Sequence, residues 1–176
     1  GYKPEILWLD SEKYEKNKAS LKELDDIDGV VVPGGFGSRG TEGIMLAIEY
    51  LRTKKIPFLG ICYGMQLAVA EFARNVLGLK GANSIEINPK TKHPVIHLME
   101  EQKDIDKMGG TMRLGAYLCD LVPGTRAQKA YGQDKVTERH RHRYEVNNQY
   151  RDRLEQAGLR VAGVNPDLDL VEILEL

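Results

Sequence analysis

Apolar residues along this chain come in two patterns: short unbroken runs, and stripes spaced three and four residues apart. Residues 5–9 form a brief apolar stretch. Ser20-Leu21-Lys22-Glu23 has the form of a capping box and predicts a helical turn that starts at Ser20. The β-branched run Gly29-Val30-Val31-Val32-Pro33 lacks polar alternation, which predicts a strand buried on both faces of a parallel sheet. With Thr41 as N-cap, Ile44, Ala47, Ile48 and Leu51 then keep the spacing of an amphipathic helix.

The run Ile56-Pro57-Phe58-Leu59-Gly60-Ile61 predicts a second buried strand. A second helix follows from Met65, with Val69, Phe72, Ala73 and Val76 on one face and Gly78 as its stop. Strand, helix, strand, helix is the rhythm of an α/β protein with a doubly wound, mostly parallel sheet and flanking helices. Residues 81–111 are polar and rich in turn formers, and no regular structure is assigned to them. Farther on, residues 139–146 alternate like a strand, and residues 147–157 read as a helix closed by Gly158. Residues 159–176 read as two strands joined at Asn165-Pro166-Asp167. No internal repeat, linker or low-complexity tract interrupts this order.

Composition narrows the class. A chain of 176 residues fits one domain with a real core. Its 25 basic and 26 acidic residues give a net charge of −1, so no global footprint for nucleic acid or an anionic membrane exists. Cys62 and Cys119 lie far apart and no signal-like start precedes them, which points to a reducing, cytoplasmic compartment. No apolar run approaches the roughly 18 residues that span a bilayer.

Chemistry is concentrated at Gly60-Ile61-Cys62-Tyr63-Gly64, a G-x-C-x-G sequence between a predicted strand and a predicted helix. This is the thiol form of a nucleophile elbow: the glycines permit a sharp turn that lifts one side chain to a helix N-terminus. There the helix dipole favours thiolate, and the amide of Tyr63 can face a developing oxyanion. The bland alternative is a buried cysteine at a tight turn. Pro33-Gly34-Gly35-Phe36-Gly37 leaves the neighbouring strand at the same sheet edge and can offer a second amide, although alone it signals only a turn. The charged stretch Glu138-Arg139-His140-Arg141-His142-Arg143-Tyr144 supports three readings. It can be a solvated edge strand, with the three arginines on one face and the histidines on the other; a metal site built on His140 and His142; or an arginine that forks a carboxylate. No metal site is expected, because no further ligand cluster lies near.

Together these motifs resemble one family closely, the C-terminal glutaminase domain of CTP synthase, a class I glutamine amidotransferase with a flavodoxin-like fold. The resemblance is carried by Val32-Pro33-Gly34-Gly35-Phe36-Gly37, Gly60-Ile61-Cys62-Tyr63-Gly64-Met65-Gln66, Ala82-Asn83-Ser84-Ile85-Glu86, Gly110-Thr111-Met112-Arg113-Leu114-Gly115, and residues 138–147. It implies a domain that hydrolyses L-glutamine to glutamate and ammonia through a cysteine thioester. A separate N-terminal synthetase domain would use ATP and Mg2+ to aminate UTP to CTP. By the same resemblance Cys62 is the nucleophile and Gly35 the oxyanion-loop glycine, and Tyr63, Gly64, Met65 and Gln66 line the glutamine site. Glu86 and Arg143 hold the amino and carboxylate ends of the substrate, as a zwitterion requires. No cofactor is implied in this domain; GTP as allosteric activator and a homotetramer are.

The chain departs from the family pattern at Tyr63, where leucine is usual, a change expected to alter pocket shape. The resemblance also implies a first strand and helix before Gly1 and an H-x-E stretch after Leu176, and no H-x-E occurs within the chain. His93, His97, His140 and His142 are not expected to replace that histidine, since none is followed two residues later by an acid. A general base is worth a factor of roughly 10² to 10⁴, so the 176-residue chain alone is expected to be a poor glutaminase. Residues 109–115 are compatible with a mobile lid or a plain turn. Other readings are an amidotransferase that serves a different acceptor, a cysteine-elbow protein of the intracellular peptidase type, and a regulatory domain that keeps the fold without turnover.

Overall fold

The computed structural model describes residues 3–98 and 112–176. Helix α1 (Ser11–Lys16) starts where the Asp10 carboxylate accepts the Glu12 amide at 3.0 Å. A 3₁₀ helix follows over Lys18–Asp26. Its cap is Asn17 and not Ser20: the Asn17 side chain accepts the Ala19 amide, and Ser20 lies inside the helix. Asparagine reaches that amide as well as serine does, so the start moves to the first residue able to do it. Residues 5–9 pair with no strand, and Ile6, Leu7 and Trp8 are exposed.

Strands β1 (Val30–Val32) and β2 (Phe58–Gly60) run parallel, with Val30 opposite Phe58 and Val32 opposite Gly60. They are linked by α2 (Thr41–Lys54), whose N-cap is Gly40 in a left-handed conformation; Thr41 is its first residue and donates Oγ1 to the Ser38 carbonyl. The expectation of strands buried on both faces is corrected here. Val31 is 58% and Leu59 56% exposed, because the described elements cover only the other side of this pair.

Helix α3 (Tyr63–Asn75) begins two residues earlier than Met65, directly at the elbow. Its buried face holds Leu67, Val69, Ala70, Phe72 and Ala73, while Val76 lies past its end and is 40% exposed. Glu71 is on that face too, with its carboxylate clasped by Arg52 of α2 through Nη2 at 2.7 Å and Nε at 3.0 Å. A forked guanidinium offsets the desolvation of a carboxylate that is 1% exposed.

The stretch left irregular by its sequence contains β3 (Asn83–Ser84) and β4 (Pro94–Leu98), which pair parallel across a register shift. Strand β5 (Arg113–Leu121) was not anticipated, and Gly115 belongs to it, so residues 113–115 form neither lid nor turn. The lid expectation for residues 109–111 lies outside the described residues. Helix α4 (Arg126–Tyr131) is capped by Thr125 and leads to β6 (Lys135–His142), antiparallel to β5. The single strand expected over 139–146 is instead two. β6 ends at His142, and β7 (Tyr144–Val146) joins β4 in another sheet. Arg143 is the residue at which the chain changes sheets.

The C-terminal elements come in the expected order, but the helix expected over 147–157 is a 3₁₀ turn followed by a shorter α-helix. After a 3₁₀ turn capped by Asn147, α5 (Arg151–Gln156) ends at Ala157 before Gly158, and β8 (Arg160–Asn165) and β9 (Leu170–Glu175) form a hairpin. The sheets are thus β1–β2, β3–β4–β7 and β6–β5–β8–β9. The α/β class stands, with parallel pairing in the two ladders nearest the elbow and antiparallel pairing elsewhere. One apolar cluster joins α2 and α3 to β4, β7, α5, β8 and β9 through Ile48, Leu67, Phe72, Ile96, Val146, Leu154, Val161 and Val171.

Candidate active site

Cys62 is the N-cap of α3 with φ 55° and ψ −104°, a backbone conformation rare for a residue with a side chain. The turn is tight enough to forbid side chains on both flanks. A Cβ on Gly60 would lie 2.7 Å from the Gly64 carbonyl carbon, and one on Gly64 would lie 2.2 Å from the Val32 carbonyl oxygen. The strand is held beneath the elbow by the Ile61 amide, which donates to Val32 O at 2.9 Å. The G-x-C-x-G spacing is therefore a packing requirement of this strand–turn–helix, and its result is a thiol raised at the helix N-terminus.

The glycine loop after β1 faces that thiol. A Cβ on Gly34 would come within 3.6 Å of Cys62 Cβ and 4.0 Å of its Sγ. Gly35 lies against the Tyr63 ring, where an added Cβ would be 3.4 Å from Cδ1. The Tyr63 hydroxyl donates to the Gly37 carbonyl, and the Gly37 amide donates to Glu86 Oε1 at 2.9 Å. Burial, with the Glu86 charge added, pushes the Tyr63 phenol up to about 12, so it stays a donor at neutral pH. Tyr63 thus braces the loop from behind.

A cleft of about 610 Å³ opens over Cys62 and is lined by Gly34, Gly35, Phe36, Gln66, Glu86, Met112, Arg141, His142, Arg143 and Tyr144. That size suits a small amino acid derivative. Of the residues singled out from sequence, Gly35, Cys62, Gln66, Glu86 and Arg143 line this one space. Tyr63, Gly64 and Met65 lie under it; Met65 packs on the core cluster. Gln66 donates Nε2 to the Tyr144 carbonyl at 2.9 Å, which ties the elbow helix to β7 just past Arg143. The arginine face expected in β6 is confirmed for Arg139 and Arg141, which are exposed opposite buried His140, while Arg143 leaves that face because β6 has ended. Among the described residues no group of His, Cys, Asp and Glu could hold a metal ion.

His142, set aside on sequence grounds, lines the same cleft as Cys62. Its Nδ1 lies 3.5 Å from Glu145 Oε1. Burial pulls this imidazole down, but the hydrogen bonds and charges of Cys62 and Glu145 outweigh it and hold the ring up at about 10. The usable signal was the strand alternation, which placed His140 and His142 on one face, with Glu145 three residues on. By contrast Cys119 is wholly buried, and burial pushes its thiol up to about 11, as for a structural cysteine.

A strained cysteine elbow facing a glycine loop in an α/β fold defines a thiol acyl-transfer class, and the family model for class I glutamine amidotransferases matches residues 1–176. The chain belongs to that family. Within it, the chain is 58% identical over 171 residues to a CTP synthase of Halalkalibacterium halodurans, and 59% identical over 171 residues to a CTP synthase of Geobacter sulfurreducens. Each alignment takes in 97% of this chain and 32% of the relative, so the chain spans about a third of the length of these proteins. A solved structure of the Trypanosoma brucei CTPS glutaminase domain with bound acivicin superposes with a TM-score of 0.90 at 41% identity, over 97% of this chain and 67% of that one. No described helix is long and apolar enough to cross a membrane.

Proposed function

We propose that this domain hydrolyses L-glutamine to glutamate and ammonia, and that the ammonia serves ATP-dependent amination of UTP to CTP in the longer protein. The observation that carries the reading is the convergence of Cys62, the Gly34–Gly35 loop, Glu86 and Arg143 on one cleft of amino acid size. Arg143 offers the forked cation that an α-carboxylate matches, and Glu86 the anion that an ammonium matches.

Held at both ends, the substrate presents its carboxamide to the Cys62 sulfur, and effective molarity replaces a bimolecular encounter. The thiolate attacks the carboxamide carbon, and the developing oxyanion is received by the first amide of α3 and an amide of the glycine loop. The C–N bond then breaks with a proton delivered to nitrogen, ammonia leaves, and a thioester remains on Cys62. Water cleaves the thioester to release glutamate and restore the thiol. In this reading the domain holds no cofactor of its own. ATP and Mg2+ belong to the synthetase part, GTP acts as allosteric activator, and the assembly is a homotetramer.

The test is Cys62→Ala in the protein, assayed with glutamine and with ammonia as nitrogen donor. Glutamine-dependent CTP formation should vanish while ammonia-dependent formation survives. Retained glutamine dependence would remove Cys62 from the reaction.

A further inference from the structure

Two hydrogen bonds tie down the glycine loop, and both fall on Gly37. Its amide donates to Glu86 Oε1 at 2.9 Å, and its carbonyl accepts the Tyr63 hydroxyl. Among the described residues these are the hydrogen bonds that hold the backbone of residues 33–37. The two groups belong to the peptide planes on either side of the Gly37 Cα, so together they fix its φ of 83°. An added Cβ there would meet nothing within 4 Å, so glycine is required at this position by the backbone conformation and not by space. Freed of the two ties, a segment with three glycines in four residues, 34–37, would spread over many conformations.

Each tie is anchored elsewhere. Tyr63 is 5% exposed and packs in the main core cluster at the start of α3. Glu86 stands on a turn whose Ile87 and Asn88 amides both donate to the Ser84 carbonyl, while the Ile85 amide donates to Ile96 O of β4 at 3.1 Å. The Glu86 amide itself donates to Ser84 Oγ at 3.2 Å. The carboxylate therefore reaches the loop from a fixed base. Since a carboxylate can accept about four hydrogen bonds, the single amide leaves it capacity for an ammonium in the cleft.

We propose that Glu86 is a positioning residue for the acyl chemistry of Cys62 as well as the partner of the substrate's amino end: clamped between Glu86 and Tyr63, the Gly37 peptides hold the Gly34–Gly35 segment where an amide can receive the oxyanion. This deepens the glutaminase reading and rests on Cys62 as its nucleophile. Gly34 stands against Cys62 and Gly35 against the Tyr63 ring, so a shift at Gly37 is passed two and three residues back to the thiol. One carboxylate then serves binding at the amino end and stabilisation at the carboxamide, and a substrate without an amino group gains the second without the first.

A carboxylate that served the amino end alone would leave acylation of the thiol untouched, so the test omits the amino acid. p-Nitrophenyl acetate acylates Cys62 through an oxyanion: the acetyl carbon bonds to sulfur and p-nitrophenolate leaves. Iodoacetamide alkylates the same sulfur by displacement of iodide, with no oxyanion. The measured quantity is the ratio of the two rates in the protein, with the Cys62→Ala background subtracted. Glu86→Ala should lower the ratio about 10- to 100-fold, less than the roughly 10²- to 10³-fold lost with an oxyanion donor itself. Glu86→Gln keeps an oxygen that accepts the Gly37 amide and should restore most of the ratio. An unchanged ratio in Glu86→Ala overturns the proposal, and so does a fall in Glu86→Gln as deep as in Glu86→Ala.

Alkylation near the parent rate shows the elbow intact. If Glu86→Ala slows alkylation as well, Tyr63→Phe decides, because it releases the other tie and leaves Glu86 in place. The ratio should fall there too, and an unmoved ratio rejects the clamp. Neither reagent needs a glutamine site. Failure here therefore leaves the glutaminase reading standing, whereas retained glutamine-dependent CTP formation in Cys62→Ala would remove that reading itself.

Discussion

At Gly64 the site tolerates no side chain. A methyl group there would sit 2.2 Å from the Val32 carbonyl oxygen, so Gly64→Ala must push α3 off the strand. Overpacking of this kind costs about 1–3 kcal/mol, and urea unfolding together with the rate of Cys62 alkylation should both register it. Tyr63→Phe removes the hydroxyl that donates to Gly37. The expected loss is about 1 kcal/mol of stability, with a raised KM for glutamine because the glycine loop is less firmly held. A variant with unaltered KM would deny Tyr63 its bracing role. His142 makes a pH prediction: its imidazole is held at about 10 in the fold against 6.5 for the free group. A raised value means the folded state binds the proton more tightly. Its contribution is thus complete below about 6.5 and is lost as pH climbs through about 10. Thermal midpoints should fall across that window, and His142→Gln should flatten the fall.

Among the elements, the break between β6 and β7 matters most to the site. The chain changes sheets at Arg143, and Arg141, His142, Arg143 and Tyr144 around that break all line the cleft. Nothing in the alternation of residues 139–146 announces the break, because it depends on β4 being free to accept β7. Arg113 pins the same region, with a side chain 3% exposed and both of its carboxylate partners buried. Arg113→Ala would strand Glu145 and Glu172 without their cation and should cost about 3–5 kcal/mol by denaturant unfolding. A cost below about 1 kcal/mol would mean the network relaxes without it. The elements built from local pattern, α2, α3, α5 and the β8–β9 hairpin, were legible because their stripes, stops and turn residues lie within one window of sequence. The short pair β3–β4 was not, since a two-residue strand has no periodicity to read.

For the molecule as a whole, one core cluster reaches from α2 to β9, so the 176-residue chain should unfold in one cooperative transition by circular dichroism. Its single tryptophan should not see it. Trp8 is 91% exposed, and its emission should be that of a hydrated indole before and after unfolding. A blue-shifted native spectrum would place residues 5–9 in a packed environment.

By itself the sequence singled out Cys62 as the candidate nucleophile. The elbow needs glycine on both sides of Cys62 for reasons of close approach that hold wherever a strand turns this sharply into a helix. It also marked Gly35, Gln66, Glu86 and Arg143, although only as members of separate motifs. Tertiary structure decided which of them share a cleft, that Tyr63 works from behind the loop, and that His142 joins Cys62 in lining that cleft. Those outcomes depend on the pairing of strands distant in sequence and on the balance of charge in a buried network, and neither is a property of any local stretch of residues.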